Sequence, residues 1–190
     1  MNTTIAGLLL IGGKSSRMGR DKGKLAYRGI SQRLYGYALL EAVCGKAYFS
    51  CTEAQADELH DFPCIVDQYP GQGPLGGILT AFESYPHTSF LVLACDMPRV
   101  ALENLQHLLG QRNPTTLATV MQHPRSGRVE PLFAIWEDRI YPSLQNYWEE
   151  GERSPTGLLD QIPVQRVWAG SPEILENINT YQEYRAHIAE

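Results

Sequence analysis

The sequence predicts an α/β fold, a three-layer and mostly parallel Rossmann-like sheet with helices on both faces. Short apolar runs alternate with amphipathic stretches through most of the chain, and this βαβα rhythm is typical of a parallel sheet. The stretch FLVLAC, residues 90–95, is continuously apolar, as expected for a strand that helices cover on both faces. No internal repeat, low-complexity tract or linker interrupts the pattern, so residues 1–190 are predicted to form one domain.

Taken in chain order, unbroken apolar runs predict strands and amphipathic stretches predict helices. The first half contains strands over 5–11, 46–51, 62–66 and 90–95, with helices over 32–43 and 75–84. A helix over 101–109 and a strand over 116–121 continue the alternation. From His123 onward the regular alternation of strand and helix is lost. A loop (HPRSGR) is followed by a strand over 129–136, a helix over 138–148 and a polar turn (EEGERSPTG). A strand over 164–168 and a C-terminal helix around 181–188 complete the prediction.

Composition and charge exclude several classes of protein. Hydrophobic residues make up 43% and charged residues 19%, and the formal net charge is −5, which argues against a general nucleic-acid or membrane-surface binder. Near the N-terminus the cations follow the apolar stretch instead of preceding it, and no stretch reaches the length of a membrane span. The four cysteines show no zinc-ligand spacing. We therefore expect a soluble cytoplasmic protein with no nucleic-acid or membrane partner.

Three polar, glycine-rich or acidic segments follow predicted strands. They cover residues 12–22, 67–77 and 96–98. In an open parallel sheet, ligands bind beyond the carboxyl ends of the strands, so these three segments are expected to converge on one site.

The first of these segments, within LLLIGGKSSRMGRDKGKL, combines a glycine turn with several cations. It is not a P-loop, because Leu8 occupies the position where that motif needs its first glycine, and the spacing of a Rossmann GxGxxG turn is also absent. Gly12 and Gly13 leave the backbone N–H groups open to a ligand, and Arg17 is able to bind phosphate in a bidentate way. For Lys14, Arg20 and Lys24 the simpler interpretation is a solvated surface charge.

The stretch LIGGKSSRMGRDK resembles the LAGGxSxRMGxDK signature of molybdenum cofactor guanylyltransferases, whose wider relatives share the nucleotide-diphospho-sugar transferase fold. The resemblance extends in order over nearly the whole chain. It implies nucleotide contacts from the residues that match the start of the signature and its lysine: Leu10, Ile11, Gly12, Gly13 and Lys22. Ile11 departs from the usual alanine, which leaves open how closely the base fits against this backbone.

Two aspartates follow strands in the other segments. VDQYPGQGPLGG resembles the family's D-x-x-PGxGPLxG segment, which implies that Asp67 helps to hold the guanosine. Its four glycines in seven residues exceed what a turn before a helix needs, and suggest backbone that approaches a ligand. Asp96, in ACDMP, is either a cap of the next helix or a magnesium ligand; a neighbouring phosphate loop favours magnesium, and the family's magnesium-holding aspartate falls in this segment.

The C-terminal third contains the segments GRVEPLFAIW and NINTYQEY, which resemble family segments that contribute the pterin half-site. The resemblance implies that Arg17, Glu130, Asn177 and Asn179 lie on the pterin side. The alternatives are that Glu130 is an ordinary strand residue and that Asn179 only caps the last helix. At Ser50–Thr52 several relatives carry an asparagine that contacts the nucleotide, and this chain has none there.

The resemblance implies transfer of GMP from GTP to molybdenum-molybdopterin, with Mg²⁺ as cofactor and Arg17, Lys22 and Asp96 as catalytic residues. Its implied partners are GTP, molybdenum-molybdopterin and the molybdoenzymes or chaperones that receive the product. The attacking pterin phosphate is already ionised at neutral pH, so no general base is needed. Two alternatives are a related nucleotidyltransferase that uses CTP or a sugar phosphate and a non-catalytic GTP-binding module.

Overall fold

The computed structural model describes residues 4–12, 29–178 and 182–183, and these form one sheet with helices on both sides. The strands are β1 (Thr4–Leu10), β2 (Ala47–Cys51), β3 (Cys64–Val66), β4 (Thr88–Ala94), β5 (Ala118–Gln122), β6 (Val129–Trp136) and β7 (Val164–Trp168). The helices are α1 (Gln32–Cys44), α2 (Glu53–Glu58), α3 (Pro74–Ser84), α4 (Leu102–Gly110), α5 (Tyr141–Glu149) and α6 (Pro155–Leu159), with short 3-10 turns at Asp138–Ile140 and Pro172–Leu175.

The seven strands pair in the order β3-β2-β1-β4-β6-β5-β7. Neighbouring strands are parallel everywhere except around β6, which runs antiparallel to both β4 and β5. Because of that reversal, the start of β6 lies at the same edge of the sheet as the carboxyl ends of the other six strands. The predicted three-layer, mostly parallel α/β fold is confirmed.

Alternating side chains of the central strands enter two separate hydrophobic cores. On one face, Leu8, Leu10 and Val92 pack with side chains of α3, α5 and α6. On the other face, Leu9 and Leu91 pack with side chains of α1 and α4. The residues of β4 from Phe90 to Leu93 are at most 2% exposed, as its unbroken apolar run predicts.

The elements differ from the sequence prediction in three places. Two short helices, α2 and α6, were not predicted; α6 begins at Pro155 inside the predicted polar turn, where the Ser154 hydroxyl accepts a hydrogen bond from Gly157 N–H. The predicted helix over 138–148 is a 3-10 turn followed by α5, which begins at Tyr141 with Pro142 in its first turn. The predicted C-terminal helix around 181–188 lies almost wholly outside the described residues. No helix within 4–12, 29–178 or 182–183 is both long and apolar enough to cross a membrane.

Candidate active site

The end of β1 is anchored to the end of β2. The N–H groups of Ile11 and Gly12 both donate to Ser50 O, at 3.0 and 3.3 Å, and Leu10 O accepts from Cys95 N at 3.2 Å. Leu10 and Gly12 line a pocket of about 390 Å³, whereas Ile11 is 5% exposed and packs in the core on the α1 and α4 face. The substitution of isoleucine for the usual alanine at Ile11 is therefore accommodated in the core and not among the residues that line the pocket.

The 390 Å³ pocket, which we call the glycine pocket, has residues from three segments in its wall. They are Leu10, Gly12, Ser50, Thr52, Asp67, Pro70, Gly71, Gly73, Pro74 and Gly77. The structure thus brings together Leu10, Gly12 and Asp67, three of the residues predicted to bind nucleotide. Gly13 and Lys22 lie outside the described residues, as does Arg17. Ser50 and Thr52 also line the pocket, and they belong to the stretch in which several relatives carry an asparagine and this chain does not.

The four glycines of the second segment divide into two pairs. Gly71 and Gly73 have φ values of 81° and 80° and open space at the position of a Cβ, so they let the chain turn along the pocket. Gly76 and Gly77 instead allow close packing. A Cβ on Gly76 would lie 3.2 Å from Tyr69 O, and one on Gly77 would overlap Ser50 Oγ. The first pair thus serves the turn and the second pair serves packing, and the approach of this backbone to a ligand stays a prediction.

Asp67 is fixed in place by its own loop and by helix α3. Its Oδ1 accepts hydrogen bonds from Tyr69 N at 2.8 Å and from the Thr80 hydroxyl at 3.5 Å. The loop is supported from the far side, where the Tyr69 ring lies 4.8 Å from the Trp148 ring and Arg153 Nε donates to Gln72 Oε1 at 3.2 Å. The carboxylate of Asp67 therefore faces the pocket from a braced turn.

Asp96 and Glu130 come together at the neighbouring strands. The last pair between β4 and β6 is Leu93 with Phe133, and Asp96 follows the end of β4 while Glu130 lies near the start of β6, so both residues are at the same edge of the sheet. Burial raises the pKa of Glu130, and the negative charge of Asp96 adds to that rise, while Leu132 N–H and the Arg128 guanidinium act in the opposite direction. The resemblance assigned Asp96 to the nucleotide and metal side and Glu130 to the pterin side. In the structure the two residues are close enough for their charges to interact.

The position of Glu130 depends on a bulge in β6. Val120 pairs with Ala134 but Met121 pairs with Glu130, so three residues of β6 are left without a partner in β5. Pro131 begins this bulge, and it has no N–H to offer a ladder. Glu130 Oε1 accepts from Leu132 N at 3.1 Å, which fixes the carboxylate next to the bulge.

The C-terminal segment returns to the same place. Ile178 N donates to Asp96 O at 2.9 Å, so Asn177 lies beside Asp96 as well. Asn177 and Glu130 line a second pocket of about 270 Å³, the hairpin pocket, together with His123, Ser126, Arg128, Val129 and Leu175. Of the four residues predicted for the pterin side, the structure brings together Glu130 and Asn177; Arg17 and Asn179 lie outside the described residues.

The two pockets lie on either side of Asp96. The glycine pocket is built on the ends of β1 and β2, Asp96 follows β4, and the hairpin pocket is built on the start of β6, which is the order of these strands in the sheet. Within 4–12, 29–178 and 182–183 no group of three His, Cys, Asp or Glu side chains is arranged to hold a metal ion. Any cation here would depend on one or two carboxylates and on ligand oxygens.

Fold and site first define a class: the chain has the architecture of an α/β nucleotidyltransferase. The structure titled molybdopterin-guanine dinucleotide biosynthesis protein A from Archaeoglobus fulgidus matches with a TM-score of 0.78 over 97% of each chain, at 23% identity. More specifically, the chain belongs to the MobA-like NTP transferase domain family, which residues 7–166 match. The resemblance to molybdenum cofactor guanylyltransferases is thereby confirmed.

Curated relatives have similar names. A molybdenum cofactor guanylyltransferase of Pseudomonas aeruginosa is 31% identical over 187 residues, covering 91% of this chain and 89% of the relative. A molybdenum cofactor biosynthesis bifunctional protein of Synechocystis sp. is 30% identical over 187 residues, covering 96% of this chain and 53% of the relative. The chain therefore spans about half the length of the bifunctional relative and most of the length of the other.

Proposed function

We propose that this protein transfers GMP from GTP to molybdenum-molybdopterin, giving the guanine dinucleotide form of the cofactor and pyrophosphate. The family membership and the names of the relatives support the assignment. The single structural observation that carries it is the placement of two separate pockets on either side of Asp96, as a donor nucleotide and an acceptor would require. We assign the glycine pocket to GTP and the hairpin pocket to the pterin.

In this proposal the chain binds and orients two anions. An ionised oxygen of the pterin phosphate forms a bond to the α-phosphorus of GTP, and the bond from that phosphorus to the bridging oxygen breaks, releasing pyrophosphate. No proton has to be removed from the attacking phosphate, so the site needs no general base. The barrier lies in bringing like charges together and in stabilising charge at the α-phosphate.

Individual residues have distinct proposed roles. Asp67 holds the guanosine, and the backbone of the glycine segment together with Arg17 and Lys22 neutralises the phosphates. Glu130, Asn177 and Asn179 orient the pterin. The proximity of the Asp96 and Glu130 carboxylates fits a cation at this edge, because like charges repel unless a positive charge lies between them.

We assign Mg²⁺ to Asp96, since this ion prefers one or two carboxylates combined with phosphate oxygens. When bound, it supplies positive charge beside the substrate phosphates. The reaction is proposed to take place in the cytoplasm, with molybdoenzymes or their chaperones as recipients of the product. These assignments rest on the resemblance and on the residues at the site.

The decisive experiment measures pyrophosphate release from GTP, CTP and ATP, with and without molybdenum-molybdopterin and Mg²⁺. Release that requires GTP and the pterin together is expected. A preference for CTP would replace the assignment with a related nucleotidyltransferase, and tight GTP binding without turnover would indicate a binding module. Asp96→Ala should abolish turnover while the protein stays folded; Asp61→Ala, at an exposed carboxylate, is the matched control.

A further inference from the structure

Gln55 links two parts of the glycine pocket through one side-chain amide. Its Oε1 accepts hydrogen bonds from Thr52 N at 3.0 Å and from the Thr52 hydroxyl at 3.3 Å. Its Nε2 donates to Ile11 O at 3.2 Å, across 44 positions of sequence. The acceptor side of the amide therefore binds the end of β2, and the donor side binds the end of β1.

Both of these partners belong to the pocket or flank it. Thr52 is in the pocket wall, and Ile11 stands between Leu10 and Gly12, which are also in the wall. The last ladder pair between β1 and β2 is Leu10 with Ser50. Beyond it, the two strand ends are joined by the bonds from Ile11 and Gly12 to Ser50 O and by Gln55.

The Gln55 side chain makes one more hydrogen bond than the capping of helix α2 requires. Thr52 and Gln55 form a capping box, in which the Thr52 side chain accepts from Gln55 N and the Gln55 side chain accepts from Thr52 N. A glutamate would satisfy a capping box equally well. Only an amide also supplies the N–H that the Ile11 carbonyl accepts. Helix α2 has no buried residues, so Gln55 is not required for packing of that helix against the core.

We propose that Gln55 is a positioning residue for nucleotide binding, which holds the Ile11 carbonyl and the Thr52 wall at a fixed separation. It acts through Ile11 and Thr52, not by touching the nucleotide. Ile11 directly precedes Gly12 in the pocket wall, so the donor bond of Gln55 fixes the end of β1 from which Gly12 follows. The inference rests on the proposed function, because it takes the glycine pocket to be the GTP site.

The test uses Gln55→Glu, which keeps the acceptor oxygen for Thr52 and removes the donor to Ile11. Ala54→Glu is the matched control, since Ala54 is an exposed neighbour on the same helix and its variant adds the same charge. GTP and CTP affinities of the full chain are measured by calorimetric titration, together with the melting temperature of each variant. Gln55→Leu, which loses both sets of bonds, is compared in the same way.

The expected result is a loss of GTP affinity of about tenfold for Gln55→Glu relative to Ala54→Glu, with little change in melting temperature. Gln55→Leu should lose affinity and also stability, because it breaks the capping box. Equal GTP affinity for Gln55→Glu and Ala54→Glu would overturn the inference alone. If the wild type prefers CTP, and Gln55→Glu lowers the CTP affinity by a similar factor, the proposed substrate is overturned but the positioning role is supported. If the wild type binds neither nucleotide, the proposed function and the positioning role are both overturned.

Discussion

Glu130, near the start of β6, and Asp96, which follows β4, lie at the same edge of the sheet and close enough for their charges to interact. Burial and the charge of Asp96 both raise the pKa of Glu130. Such an arrangement costs stability in the unliganded protein, because ionised carboxylates are pushed together in a partly desolvated place.

Glu130→Gln should stabilise the unliganded protein at neutral pH and weaken its activity. A carboxyl whose pKa is raised by folding holds its proton more tightly in the folded state, so its contribution to stability falls as pH rises from the unfolded pKa through the folded pKa. The glutamine variant loses that pH dependence. Melting temperatures between pH 4 and pH 8 provide the measurement, with Asp57→Asn as an exposed control. A variant that melts below the wild type at neutral pH would contradict the argument.

Arg112 and Glu137 form a structural ion pair at the edge of the sheet away from Asp96. Arg112 Nε and Nη2 donate to the two Glu137 oxygens at 2.8 and 2.7 Å, and the Glu137 side chain is 2% exposed. Arg112→Ala leaves a buried carboxylate unpaired and should destabilise the fold by roughly 3–5 kcal/mol in urea unfolding. The double variant Arg112→Met, Glu137→Leu should recover much of this loss. GTP affinity of folded Arg112→Ala should match the wild type, and a large change there would count against a purely structural role.

Gly77→Ala should strain the contact between α3 and β2, because the added Cβ would overlap Ser50 Oγ. The expected cost is about 1–3 kcal/mol of stability, with weaker GTP binding since Gly77 and Ser50 both line the glycine pocket. Gly110→Ala is the matched control, as nothing lies within 4 Å of a Cβ placed there. Combining Gly77→Ala with Ser50→Ala should restore stability. If it does not, the overlap is not the cause of the strain.

The turn between β5 and β6 is braced by the His123 side chain as well as by backbone hydrogen bonds. His123 Nδ1 accepts hydrogen bonds from Arg125 N at 3.2 Å and Ser126 N at 3.1 Å, and Gly127 N donates to His123 O at 2.9 Å. His123→Ala removes only the side-chain bonds and keeps those of the backbone, so it should loosen the wall of the hairpin pocket and raise the KM for the pterin several-fold, with GTP affinity unchanged. His123→Asn carries an acceptor at a similar position and should restore the KM. An unchanged KM for the pterin in His123→Ala would show that this hairpin does not contribute to binding of the acceptor.

Much of the local structure follows from the sequence because local patterns encode it. The alternation of apolar runs predicted all seven strands, and the continuous run that forms β4 predicted its double burial. Glycine and aspartate after strands predicted that Gly12, Asp67 and Asp96 would converge at one edge. The capping box of α2 also has a local signature, the T-x-x-Q pattern of Thr52 and Gln55, which marks the start of this helix.

The arrangement of side chains at the site depends on which strands pair with one another, and this pairing involves residues far apart in the sequence. No local pattern states that β6 runs antiparallel to β4, yet this reversal places the start of β6, with Glu130, at the edge of the sheet where Asp96 follows β4. Ile11 faces the core instead of the pocket because strand side chains alternate between the two faces of the sheet, and the end of β1 fixes which face each residue takes. The partnership of Gln55 with Ile11 depends on where β1 and β2 end relative to each other. The sequence by itself determined the strands, most of the longer helices and the family; packing of the strands determined which side chains share the site.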